Sequence, residues 1–228
     1  MINRILTALS CAAGASLASA TIVPVFQDRM VEVVGSIALP GGGSMVDDDH
    51  DAAIGFGNFD SQLLCSVAST AANAVCRASH ASSITPMQVS MSGAADSNAS
   101  ANAGSGETSS GNAITGMLFQ FDLLEPQTLR FVGSIEEFGG GAAFAYLKLG
   151  NDVLVDLPTG TPASVDVTLD LLPGRYEFMT CTGSSAFVGE DGGFANAFAS
   201  VSATISIVPE PTSLGLLVLG SLALLRRR

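Results

Sequence analysis

From about Val31 onward the chain is written in short runs that alternate apolar and polar residues and stop at Gly or Pro. The clearest is Val165-Asp166-Val167-Thr168-Leu169-Asp170-Leu171. It sets Val165, Val167, Leu169 and Leu171 on one face and Asp166, Thr168 and Asp170 on the other, the period of two that a half-buried strand needs. Leu172-Pro173-Gly174 then turns the chain into Arg175–Thr182, with Tyr176 and Phe178 directed at the core. Phe194–Val208 alternates in the same way, with Ala195, Ala197, Ala199 and Val201 in one phase. Apolar β-rich runs also occupy Val31–Leu39, Ile114–Leu124, Thr128–Ser134, Ala142–Leu149 and Val153–Leu157. Strands at this spacing, separated by turn signals, predict an all-β protein, an antiparallel β-sandwich of jelly-roll type.

Two stretches read less simply. Over Ser61–Arg77, Leu63, Leu64, Val67, Ala71, Ala74 and Val75 recur near helical spacing. A helix there competes with a strand-loop-strand reading, which we prefer. Ser90–Gly116 is made of Ala, Ser, Gly and Asn with little to bury, and it predicts a long flexible insertion or, failing that, a flat edge strand.

The two ends follow another logic. Arg4, the apolar run Ile5–Leu17 and Ala18-Ser19-Ala20 have the three parts of a secretory signal peptide cut after Ala20, so residues 1–20 are expected to leave with the signal peptidase. At the other end, residues 209–228 begin with Pro209-Glu210-Pro211, a stiff polar breaker. A greasy segment containing Leu214 through Leu225 follows, then Arg226-Arg227-Arg228. Thirteen residues from Ser213 to Leu225 make a helix of roughly 20 Å against a hydrocarbon core of about 30 Å. Such a transmembrane helix spans only with local thinning, its arginines held on the cytoplasmic side.

This tail, carried by Val208-Pro209-Glu210-Pro211-Thr212-Ser213-Leu214, the Leu/Gly run and the terminal arginines, resembles the PEP-CTERM sorting signal of exported Gram-negative proteins. The resemblance implies recognition and removal of the tail by an exosortase, and association with exopolysaccharide, biofilm or the cell surface. It covers about a tenth of the chain.

Between the ends, residues 21–208 form one domain of sufficient length for a sizeable core. It holds 20 acidic residues (the 21 of the chain less Glu210) against Arg29, Arg77, Arg130, Lys148 and Arg175, a net charge near −15. That field opposes nucleic acid and anionic lipid. Cys65, Cys76 and Cys181 remain after export into an oxidising compartment. Proximity in sequence puts a Cys65–Cys76 disulfide first, though a helix over Ser61–Arg77 would hold the two thiols apart, and Cys76–Cys181 stays open.

Candidate chemistry is sparse. Asp47, Asp49 and Asp51 alternate within Asp47-Asp48-Asp49-His50-Asp51 and have the oxygen ligands calcium takes, but the EF-hand Gly and Glu positions hold Ala52 and Asn58. A solvated acidic loop explains them equally. His50 and His80 are too few for a multi-histidine zinc site. No nucleophile elbow or phosphate loop occurs; Gly139-Gly140-Gly141 reads as a turn, and Glu136 and Glu137 as opposite-facing strand neighbours. The sequence thus predicts an exported, non-enzymatic structural protein of the cell surface or exopolysaccharide matrix. The alternative is a glycan-binding sandwich, calcium-assisted, with Tyr146 and Tyr176 its only tyrosines and no Trp.

Overall fold

The structure, a computed structural model, describes residues 21–53 and 55–209. The expected signal peptide with Ala18 and Ala20, and the tail from Glu210 through Pro211, Leu214, Leu225 and Arg226-Arg227-Arg228, lie outside the described residues.

Twelve strands account for the fold: β1 (Val23–Ala38), β2 (Ser44–Ala52), β3 (Phe59–Ala68), β4 (Ala72–Ile84), β5 (Gln88–Ala101), β6 (Thr108–Leu123), β7 (Gln127–Gly139), β8 (Gly141–Leu149), β9 (Asp152–Leu157), β10 (Ala163–Leu171), β11 (Gly174–Val188) and β12 (Gly193–Ile207). They form two six-stranded sheets, β2-β1-β6-β11-β8-β9 (sheet A) and β10-β7-β12-β5-β4-β3 (sheet B), antiparallel throughout. The inner faces pack together as a sandwich. Every run read from the alternation matches a strand to within one residue at its end, and the phases hold: Tyr176 and Phe178 are buried, as are Ala197, Ala199 and Val201.

The core is graded along the sandwich. At one end Phe119, Phe121 and Tyr176 stack at 5.6 Å spacing, and Phe131 meets Phe178 edge-on at 6.0 Å. Each such fully buried ring contributes on the order of 1.5–3 kcal/mol. At the other end the buried residues are smaller: Ala78, Ala95, Ala99, Ala113, Cys65 and Cys76 pack with Val31, Val33, Ile37, Val67 and Val188. Gly35 and Gly111 complete this tight end. A Cβ on Gly111 would come within 3.0 Å of the Cys76 sulfur.

That gradation overturns the expectation of a flexible insertion over residues 90–116. The segment supplies most of β5 and the start of β6, both inside their sheets rather than at an edge. Low complexity hid a regular alternation. Ala95, Ser97, Ala99 and Ala101 point inward, and their small volume is what lets the sheets approach closely here. The helical reading of Ser61–Arg77 gives way to the β3–β4 hairpin, closed at Ser69–Ala72. The glycine run 139–141 carries the chain from sheet B to sheet A past β12. A Cβ at Gly141 would land on the Phe198 carbonyl oxygen, so only glycine passes there.

Candidate functional site

Alternation along β1 puts Arg29 in the inward phase of Val31 and Val33, and alternation along β4 does the same for His80 and Ser82. The guanidinium is 1% exposed and has no carboxylate partner among the described residues. Its charge is met by oxygen dipoles. Nε donates to Gln27 Oε1 (2.6 Å), Nη2 to Gly55 O (2.6 Å), and Nη1 to Gly57 O (2.8 Å) and Ser82 Oγ (3.1 Å). Arg29 thereby ties the β2–β3 connection to the interior, and burial lowers its pKa. The ring of Phe59 lies 5.6 Å from the guanidinium and 5.0 Å from the His80 ring.

His80 extends this network. Nε2 is 2.9 Å from Ser82 Oγ and Nδ1 is 2.8 Å from Thr115 Oγ1. Ser82 Oγ accepts from Arg29 and keeps its own hydrogen for Nε2, an arrangement in which the imidazole proton sits on Nδ1 and goes to Thr115. Burial first, and the Arg29 charge second, push the His80 pKa down to about 4. The Ser82–His80 contact has the residue types of a hydrolytic pair. Yet the imidazole is orientated by a threonine instead of a carboxylate, is a weak base at neutral pH, and shares its serine with a cation. The arrangement serves as an internal fastening.

The outer face of sheet A carries a second polar group. Tyr146 donates to Glu177 Oε1 (2.8 Å), Gln120 to Glu177 Oε2 (3.2 Å), and Lys148 Nζ stands 3.6 Å from Oε1. Burial works to raise the Glu177 carboxyl, but these donors outweigh it and hold its pKa below the usual value. Along β8, Phe144 stacks parallel to Tyr146 at 6.1 Å, and Lys148 Nζ lies 3.9 Å from the same ring's centre. Residues two apart on a strand flank the one between, so both faces of Tyr146 are covered. Tyr176 is a core residue whose hydroxyl donates to Leu172 O (2.7 Å).

The residues singled out from sequence fare differently. Cys65 and Cys76 are direct cross-strand partners, both buried, with free thiols in this structure. Burial raises the pKa of both, Cys76 the more strongly, and Cys76 Sγ donates to Val34 O (3.1 Å). Cys181 lies on the outer face of sheet A, opposite Gly116 and Phe144, and cannot reach the inward Cys76. Asp47, Asp49 and Asp51 do not make the calcium loop their spacing suggested. They lie on extended β2, where the first and last are about 13 Å apart. Asp47 accepts from the Ser66 N–H, and Asp49 and Asp51 from the residues that follow them. Among the described residues no three His, Cys, Asp or Glu side chains come together to hold a metal ion. Nor is any helix among them long and apolar enough to cross a membrane. Glu136 points outward, while Glu137 accepts from the N–H groups of Ala143 (2.5 Å) and Gly160 (2.7 Å).

The polar core was missed in the sequence, where its signal was present as an arginine two residues ahead of Val31-Glu32-Val33 and in phase with both valines. No known family profile matches the chain, and no curated protein matches it. Among solved structures it is similar to the secreted serine protease VesC from Vibrio cholerae, at 9% identity and TM-score 0.25 over 90% of this chain and 54% of that one. It is also similar to the GH31 alpha-xylosidase from Xanthomonas citri, at 7% identity and TM-score 0.20 over 64% of this chain and 32% of that one. The chain thus spans about half the length of the first and a third of the second, at likenesses too distant to bear on its activity.

Proposed function

We propose that the jelly-roll-like sandwich is the mature body of an exported structural protein of the cell surface or exopolysaccharide matrix. Signal peptidase releases it at the N-terminus, and an exosortase acts on the tail after it has sat in the inner membrane as a precursor. The observation that supports this reading is where the sandwich starts and stops. Its first strand begins at Val23, three residues after Ala20, and its last ends at Ile207, two before Pro209. Both terminal strands are interior, β1 between β2 and β6, and β12 between β7 and β5. Cuts after Ala20 and near Pro209–Pro211 would therefore leave all twelve strands in place. A net charge near −15 on the body agrees with a role outside the cell in a hydrated polymer, away from nucleic acid.

Intact mass of the protein from its native host tests the reading. The expected species begins at Thr21 and lacks the hydrophobic tail. Recovery of a chain with Met1 and Arg228 both retained would overturn it.

A further inference from the structure

The outer face of sheet B sinks into a row of depressions, where that of sheet A carries one, beside Glu32 and Asn112. At two successive levels, β4, β5 and β12 present only Ser79, Ala94 and Ser200, then Ala81, Ser92 and Ser202, in register. On the flanking strands, β3 carries the longer Gln62 and Asp60 at those levels, and β7 carries Glu136 at the first and Ser134 at the second. The face therefore sinks between them into adjoining depressions of about 400 to 480 Å³. One level on, Arg77 lies in register with Asp96, and Phe198 with Phe138, which is 61% exposed.

The polar groups around this basin differ in state from those around Tyr146 on sheet A. On sheet A, Tyr146, Glu177, Gln120 and Lys148 hold one another, and Arg175 holds Asp122. Around the basin, the side chains of Asp60, Gln62, Arg77 and Glu136 make no hydrogen bond or ion pair among the described residues. Donors and acceptors of every kind stand open at the edge of a hydroxyl-lined hollow.

We infer that this basin binds an uncharged polysaccharide strand. Vicinal sugar hydroxyls match carboxylate, amide, guanidinium and serine partners, and the exposed Phe138 ring offers apolar surface to a sugar ring's C–H face. A protein partner would call for the opposite composition, since interface cores are depleted in Ser, Ala, Asp and Glu. A polyanion would meet three carboxylates and one guanidinium on a strongly acidic body. From β3 to β7 the basin spans about 19 Å, enough for several sugar units. The inference deepens the matrix reading by naming the partner. It is tested on purified protein, so it can fail while processing stands, and the reverse.

Affinity electrophoresis of the full chain in mild detergent, in gels containing a neutral glucan, a neutral mannan or alginate, provides the test. We expect retardation in a neutral gel and none in alginate. Ser202→Tyr, which fills the floor, should weaken retardation at least ten-fold, whereas Ser185→Tyr on the outer face of sheet A should leave it unchanged. Should Ser202→Tyr not fold, Gln62→Ala with Arg77→Ala, both on the rim, should give the same loss. Mobility unaffected by any neutral polymer, equal retardation of the basin variants and the parent, or stronger retardation in alginate would each overturn the inference.

Discussion

Lowering the pH should loosen this protein through His80 before its carboxylates titrate. An unfolded imidazole titrates near 6.5, whereas in the folded chain His80 is pushed down to about 4. As pH falls the unfolded state takes up the proton first. The stability from keeping His80 neutral is therefore whole above 6.5, declines below it, and is fully lost below 4. The difference of about 2.5 pK units corresponds to roughly 3.4 kcal/mol in the limit. Between pH 7 and pH 5 the same two constants give a loss of about 2 kcal/mol. The cause is on the page: a proton on Nε2 would displace the Ser82 hydrogen from its acceptor and bring a second cation beside Arg29. Asp122 and Asp166, whose pKa values their arginine partners lower, lose stability only as pH falls below the unfolded carboxylate range of about 4. They leave the window between pH 5 and 7 clear. Urea unfolding at both ends of that window, on the parent and on His80→Gln, measures the slope. We expect the parent to lose about 2 kcal/mol and the variant to be nearly flat, whatever its absolute stability. Equal slopes in the two proteins would refute the reasoning.

Three further outcomes follow from the geometry. The Ser69–Ala72 hydrogen bond and strand alternation make Cys65–Cys76 a hydrogen-bonded pair with Cα atoms about 5.5 Å apart, within disulfide range. Oxidation should stabilise by about 3 kcal/mol, read as a fall in the urea midpoint on adding reductant that is absent in Cys65→Ala/Cys76→Ala. Gly141→Ala should cost about 3 kcal/mol or more, because the new Cβ meets the Phe198 carbonyl and not a movable side chain. Gly183→Ala, with nothing nearer than 3.6 Å, should stay within about 1 kcal/mol by thermal melting. Arg29→Met should cost about 3 kcal/mol in urea unfolding, since the carbonyls of Gly55 and Gly57 lose their buried donor. Hydrogen exchange should show the β2–β3 connection opening first.

Side-chain contrast decided which parts of this fold were legible. Where a strand alternates large apolar with polar residues, as β10 and β11 do, both the element and the inward face could be read directly. Where the inward residues are alanine and serine, as on β5, the same period of two survives with almost no hydrophobic contrast, and the strand resembled a linker. The helical reading that competed with the strand-loop-strand one over β4 had a related origin: Ala74 and Val75 adjoin in sequence but face opposite ways, and their proximity imitated a helical stripe. The basin depends on small residues from three strands, β4, β5 and β12, lying side by side. That is a property of register and invisible along any one of them. Arg29 and His80 were legible in phase, but nothing in the sequence reveals that Gly55 O, Gly57 O and Thr115 would surround them.

The distribution of acid explains why Asp47-Asp48-Asp49-His50-Asp51 looked like a site. A two-sheet sandwich of open sheets has four edge strands, and each presents N–H and C=O groups on which another chain could add a strand. Here those edges are β2, β9, β10 and β3. They carry Asp47, Asp48, Asp49 and Asp51; Asp152 and Asp156; Asp166 and Asp170; and Asp60. Nine of the body's 20 acidic residues thus lie on its four edges, among them the barest strand, β2, exposed along its whole length. Asp47 goes further and accepts from the Ser66 N–H, so one edge strand occupies a donor on the edge of the opposite sheet. A second copy approaching edge-on would have to bring a like-charged row within hydrogen-bonding distance, at a Coulombic cost that rises as the edges desolvate. The run of aspartates is better explained as the guard of an open edge than as a ligand set, one that keeps copies of the chain from fusing edge to edge into continuous sheets.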